Sequence, residues 1–474
     1  MQLVAYGAQD VYLTANPQVT FFKQLYRRHT NFAMESIEQT FNGVASFGKK
    51  VTATIARNGD LITKTYLQAT LPSVQQGDFA EGDNNRNFAW VSYVGQYLIK
   101  SVELEIGGQQ IDKHYGDWLH IWNELTLPTG KSRAYHKMVN GIGGSNFNNI
   151  TDCEECTDPI PREVARVADS NNSWIASHGI DHVNEYDEVT RQIGNYQSVG
   201  DECVPEATLY VPLEFWFNRH YGLALPLIAL QYHEVKINVE FNDLKYLCNT
   251  PSNTVIANLN RKGLTSCSLW VDYIFLDTEE RRRFAQVAHE YLIEQLQFTG
   301  EQSVTSSMNR IILSLNHPVK ELIWVVQNPS YIDCDHAYNM PWRYSDANNC
   351  NPVAVAKLQL NGHDRFAERE GDYFNLVQPY QHHTASPSIG INVYSFAIRP
   401  EDIQPSGSCN FSRIDNAVLN LTLTPATFKT TIASDIIDDS ITNATQTQAN
   451  VRVYAVNYNV LRIMAGMGGL AYSN

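Results

Sequence analysis

The sequence predicts an all-β protein with little helix, built as two tandem β-sandwiches of eight strands each and of the jelly-roll type. Three observations predict it. One set of strand patterns occurs twice in the 474 residues, once in each half and in the same order. Each half carries a two-residue hairpin signal, and the stretches between strands are rich in Gly, Pro and Asn. The repeat is too long for a solenoid unit of about 20 to 50 residues, so it reads as a duplicated domain. Short strands with long loops point to jelly rolls, in which two four-stranded sheets share one core. The pattern by itself does not separate them from other sandwiches.

Residues 1–25 read as an N-terminal arm. Near its end lies the basic cluster Lys23-Gln-Leu-Tyr-Arg-Arg-His29, preceded by Phe21 and Phe22. A contact with nucleic acid, an acidic partner or a membrane face competes there with a plain solvated helix. The first sandwich is expected over 26–278. Lys50-Val-Thr-Ala-Thr-Ile55 and Thr65-Tyr-Leu-Gln-Ala-Thr-Leu71 alternate as strands do. Val102-Glu-Leu-Glu-Ile106, a tight Gly107-Gly108 turn and a return strand to Ile111 form a hairpin, followed by Gly116-Asp117-Trp118. Residues 126–205, polar and acidic, are an insertion of the kind that carries exposed function on β scaffolds.

A linker over 279–290 opens with Glu279-Glu-Arg-Arg-Arg-Phe-Ala-Gln-Val287, rich in helix formers. The second sandwich is expected over 291–474. Its hairpin turns at Asn361-Gly362, among the strongest short hairpin signals, and again a Gly-Asp-aromatic triplet follows, Gly371-Asp372-Tyr373. Later strands match across the halves: 209–215 with 393–398, 234–241 with 416–423, and 269–275 with 451–457. Long loops are expected at 335–351 and 428–450.

Composition bounds the function. About 200 to 250 residues per large β domain fits two sandwiches, and 43% hydrophobic residues with 25 Tyr and 19 Phe supply their cores. A net charge of -15 argues against wrapping nucleic acid, which needs a basic surface. Neither a signal-peptide pattern nor an apolar run of about 18 residues occurs, so cytosolic synthesis is expected. Eight scattered Cys do not make a disulfide framework.

Chemical motifs are incomplete throughout. Cys153 and Cys156 are spaced as a zinc pair, but no second pair follows. His289-Glu290 lacks the second zincin His, because position 293 is Ile. Gly466-Met-Gly-Gly469 has no helix after it to cradle a phosphate. Asp435, Asp438 and Asp439 lack the alternation of a calcium loop. His382 and His383, being consecutive, would point to opposite faces of a strand. Asn149, Asn171, Asn410, Asn420 and Asn443 begin glycosylation sequons; Asn149, Asn443 and Asn410 are the candidate acceptors, and Asn420 sits in a strand pattern.

The resemblance to a family is carried by segments spread along the whole chain. Gln2-Leu-Val-Ala-Tyr-Gly-Ala-Gln-Asp-Val-Tyr-Leu13, Arg57-Asn-Gly-Asp-Leu-Ile62, Gly222-Leu-Ala-Leu-Pro-Leu-Ile228, Cys409-Asn-Phe-Ser-Arg-Ile-Asp-Asn416 and Tyr458-Asn-Val-Leu-Arg-Ile-Met464 are among them. Together they resemble the major capsid proteins of nucleocytoplasmic large DNA viruses, especially those of large algal viruses. The resemblance implies a non-enzymatic, cofactor-free double jelly roll, a late product made and assembled in host cytoplasm. It implies a homotrimer of hexagonal outline, tiling an icosahedral shell over an internal membrane. Partners would be other capsomers, minor capsid and vertex proteins, with no sequence-specific nucleic acid. Phe21, Phe22, Arg27 and Arg28 resemble the family segment facing the capsid interior. The loops 126–205 and 335–355 depart from the relatives, so no glycan site carries over. Two other readings are a lectin-like or carbohydrate-active sandwich and a minor vertex or spike protein, which would show a single copy or a projecting domain.

Overall fold

The computed structural model describes residues 7–79, 88–140, 202–250, 252–332, 340–429 and 448–472. Strand alternation is visible residue by residue. In Val235–Phe241 every second side chain is buried and the others are half-exposed, as expected for a sheet with one face on a core.

The first copy contains β1 (Phe32–Gln39), β2 (Lys50–Thr54), β3 (Leu61–Leu71), β4 (Ile99–Ile106), β5 (Gln109–Tyr115), β6 (Ala207–Pro212), β7 (Val235–Phe241) and β8 (Ser266–Leu276). They form two antiparallel sheets, ordered β1-β8-β3-β6 and β2-β7-β4-β5. The second copy contains β9 (His289–Val304), β10 (Met308–Ile312), β11 (Pro318–Gln327), β12 (Val353–Leu360), β13 (His363–Asp364), β14 (Asn392–Ser395), β15 (Ala417–Leu423) and β16 (Ala449–Met464). Its sheets run β9-β16-β11-β14 and β10-β15-β12-β13. Adding eight to each strand number of the first copy gives the second. This is the jelly roll written twice, and the three pairs of matched segments occupy equivalent places. A last strand, β17 (Met467–Leu470), folds back on β16.

Both hairpins close on two residues. Ile106 pairs with Gln109 around Gly107-Gly108, and Leu360 with His363 around Asn361-Gly362. Both turn residues have positive φ in each case: 59° and 85°, then 51° and 80°. That geometry matches the right-handed twist of the strands. Nothing lies near a Cβ built on Gly362, so Gly362→Val is opposed by the backbone alone, at roughly 1 to 2 kcal/mol or more for a β-branched residue. A lowered thermal midpoint is expected; an unchanged midpoint would count against the turn. At Gly107 a Cβ would also meet the His233 ring at 2.3 Å.

One helix stands where helix formers announced it, in the linker; the others occupy places where the pattern of strands gave no hint of them. The Gly-Asp-aromatic triplet of the first copy opens α1 (Gly116–Thr126). The insertion then begins with α2 (Thr129–Val139), whose Tyr135 and Val139 bury in the first core. Residues 141–201 of that insertion lie outside the described residues. Between the copies stands α3 (Thr278–Gln286), capped by the Asp277 carboxylate accepting from Glu279 N at 2.7 Å, with Glu279 and Glu280 in its first turn. In the second copy the triplet opens a helical turn that ends as α4 (Gln378–His382).

Candidate functional site: the seam, the arm and the exposed turns

The two rolls meet along a seam built mainly by α1. Its Trp118, Ile121, Trp122 and Leu125 recur at helical spacing and form one stripe. That stripe buries against Ile323 and Val325 of β11, Val393 of β14, and Tyr454 and Val456 of β16. Charge is buried beside it. Glu294 of β9 receives Arg219 of the first copy at 2.7 Å and Lys320 of β11 at 2.6 Å. Both cations also lie over the Trp122 ring, Arg219 at 4.2 Å and Lys320 at 5.8 Å. Lys320 is fully buried; burial pulls its ammonium below the ordinary lysine range, against the opposing pull of Glu294 and Glu321. Arg452 ties Asp117 of α1 to Gln327 and to Glu301, the last at 3.1 Å.

Next along β11, Glu321 faces the other way. His383 lies between Glu321 Oε2 at 3.1 Å and Glu401 Oε1 at 3.0 Å, and its side chain is fully buried. The expectation that His382 and His383 flank a strand is corrected here. They end α4, His382 Nδ1 bonds Ile398 O at 2.9 Å, and only His383 enters the carboxylate pair. Burial alone would lower the His383 pKa, but the two carboxylates outweigh it and raise it to about 9. A raised folded pKa means that the stabilisation is complete below the unfolded value near 6.5. It fades as pH rises through about 9, and on the order of 3 kcal/mol is at stake. His383→Gln is therefore expected to flatten the fall in denaturation midpoint between pH 6 and 9.5; a parallel fall in the variant would remove His383 as its cause.

The described part of the arm, from residue 7, has no such partners. Every residue from 11 to 36 is exposed, including Arg27 and Arg28. Phe21 and Phe22 are 94% and 99% exposed, and Tyr12, Leu13 and Tyr26 are nearly as open. Such a run is more exposed apolar surface than a lone folded chain ordinarily presents. Asn410 is exposed, with its side-chain oxygen accepting from Ser412 N at 3.0 Å. Asn420 instead donates to Gln359 across two strands at 3.1 Å. Asn149, Asn171 and Asn443, the Cys153–Cys156 pair and the Asp435 cluster lie outside the described residues. Among the described residues no group of three His, Cys, Asp or Glu side chains is placed to hold a metal, and no helix is long and apolar enough to cross a membrane.

Sequence reasoning missed the seam. Its apolar stripe was available as an i, i+3, i+4, i+7 spacing, but Glu294, Lys320 and Arg219 come together only through the fold.

A duplicated jelly roll locked into one body, with an uncovered apolar arm, defines a structural protein that acts by packing against others. The comparisons agree. Residues 20–277 match the model of the major capsid protein N-terminus, and residues 280–469 that of the large eukaryotic DNA virus major capsid protein. The major capsid protein of Phaeocystis pouchetii virus is 47% identical over 100% of this chain and 99% of its own. That of Paramecium bursaria Chlorella virus 1 is 42% identical with the same coverage. A quasi-atomic model of the PBCV-1 virus capsid superposes with a TM-score of 0.70 at 37% identity, covering 96% of this chain and all of that one. The Faustovirus major capsid protein, only 13% identical, shares the fold at 0.65 over 97% and 94%. The chain belongs to the major capsid protein family of large eukaryotic DNA viruses. Its role is structural rather than enzymatic, and its place is the shell of the virion.

Proposed function

We propose that three copies close into a homotrimer of hexagonal outline, and that these capsomers tile an icosahedral shell. The observation that carries this is the strand-for-strand equivalence of the two rolls in each chain. Three chains then present six similar barrels, so a threefold object fits a sixfold lattice position, and a head-to-tail interface closes after three steps. The working division is an arm at 1–25, rolls at 26–278 and 291–474, and a linker at 279–290. It draws support from α3 standing between the last strand of one copy and the first of the next.

The exposed Phe21, Phe22, Arg27 and Arg28 make the arm the natural contact for minor capsid and vertex proteins, a neighbouring capsomer or an internal membrane. The net charge of -15 speaks against sequence-specific nucleic acid as a partner. Late synthesis and assembly in host cytoplasm belong to the same reading. Asn149, Asn443 and Asn410 are its candidate glycan acceptors.

Light scattering after size exclusion, with negative-stain images of the same peak, tests the capsomer. A species of three times the 53.6 kDa chain mass with a hexagonal outline is expected; a clean monomer would overturn it. Deleting residues 1–25 should leave soluble trimers that fail to form shells. Normal shells from that deletion would remove the arm from assembly.

A further inference from the structure

The internal repeat extends to the helix that makes the seam. Aligned on Gly116 and Gly371, the fourth residue of each segment, Leu119 or Phe374, buries in the core of its own roll. The sixth, seventh and tenth are Ile121, Trp122 and Leu125 in the first copy, and these dock on the second roll. In the second copy the same offsets give Leu376, Val377 and Tyr380, which are 53%, 39% and 84% exposed. The second copy thus carries the docking stripe with none of the described residues of its own chain covering it.

The receiving surface is repeated too. The stripe of α1 lies on the outer face of the β9-β16-β11-β14 sheet. The equivalent outer face of the first roll, on β1-β8-β3-β6, carries Tyr66, Trp270 and Tyr210. Tyr66 stacks on Trp270 at 6.3 Å and 3° and stands 6.2 Å from Tyr210. Their neighbours Leu67, Leu269 and Leu209 point into the core, while Tyr210 is 38% exposed and the other two rings are half-buried.

We propose that these two surfaces cover each other between copies of this chain: the Leu376–Val377–Tyr380 stripe of one protomer docks on the Tyr66–Trp270–Tyr210 face of the next. The occupant is a second copy because, among the described residues, the equivalent stripe and the equivalent face already cover each other across the seam. Repeating one interface alternately within and between chains also passes each roll to the next in the same sense, as a closed ring requires. This rests on the trimer reading and names its contact surfaces.

The test compares native masses of the wild type, the double variant Leu376→Asp with Val377→Asp, and Tyr210→Asp. All three positions are open in the single chain, so each variant should keep the wild-type circular dichroism. A trimeric wild type with both variants monomeric is expected. Mixing the two variants should then give a capped dimer of twice the chain mass, because one intact stripe meets one intact face. A double variant that stays trimeric would overturn these surfaces while leaving the trimer standing. Two monomeric variants that form no mixed dimer would overturn the pairing of stripe with face. A monomeric wild type would overturn both readings.

Discussion

Gly371→Ala is expected to prevent the second roll from folding. A Cβ at that position would lie 1.9 Å from the carbonyl oxygen of Val353, far inside any real contact. Val353 opens β12 and pairs with Leu423, so the strand cannot retreat without losing its ladder. The cost should exceed the roughly 1 to 3 kcal/mol of ordinary overpacking, because backbone rather than a side-chain end must move. The first copy repeats the constraint: at Gly116 a Cβ would lie 2.4 Å from Ile99 O, and Ile99 opens β4, the equivalent of β12. Soluble yield and thermal midpoint measure the effect. Gly77→Ala, with open space around it and an ordinary backbone, is the control that separates packing from general loss of glycine. A Gly371→Ala protein that melts with the wild type would refute the close approach.

Glu294→Ala should destabilise the protein by about 3 to 5 kcal/mol, since it strands the fully buried Lys320 and leaves the half-buried Arg219 without its carboxylate. Arg219 and Lys320 would lose their shared carboxylate at the point where the rolls meet, and the fully buried Lys320 has no route to water. Adding Lys320→Met to Glu294→Ala should restore much of the loss, because an apolar side chain of similar length removes the uncompensated charge. Denaturant titration of both variants decides the matter. If the double variant is as unstable as the single one, charge pairing is not what Glu294 supplies.

Much of the fold was legible because it is local. The Asn361-Gly362 turn fixes its hairpin through backbone angles, and the alternation in residues 65–71 fixes which side chains face the core. The duplication then supplies the sheet order twice. The helix α1 was hidden because its triplet reads as an extension of a strand and its aromatics suit either structure. What it buries against lies from about 200 to about 340 residues away in sequence. Separation hid the charges too, since Lys320 lies 26 residues beyond Glu294 and Glu294 lies 75 beyond Arg219, and nothing local announces that the three meet. His383 departs from the strand expectation because α4 ends there, and the turn out of that helix rather than strand alternation sets where its ring points.

The strands β9 and β16 run side by side for 16 residues each, about 50 Å at 3.3 Å per residue. One end belongs to the second core, yet Ile293, Leu461 and Ile463 at the other end pack in the first. The turn before β17 continues onto the first roll, where His233 Nδ1 lies 2.9 Å from Gly468 O. The pair of strands is thus a beam let into both walls, and the rolls cannot hinge on the linker beside it. In the proposed shell, tiles this stiff would take up curvature at the joints between them rather than within each chain.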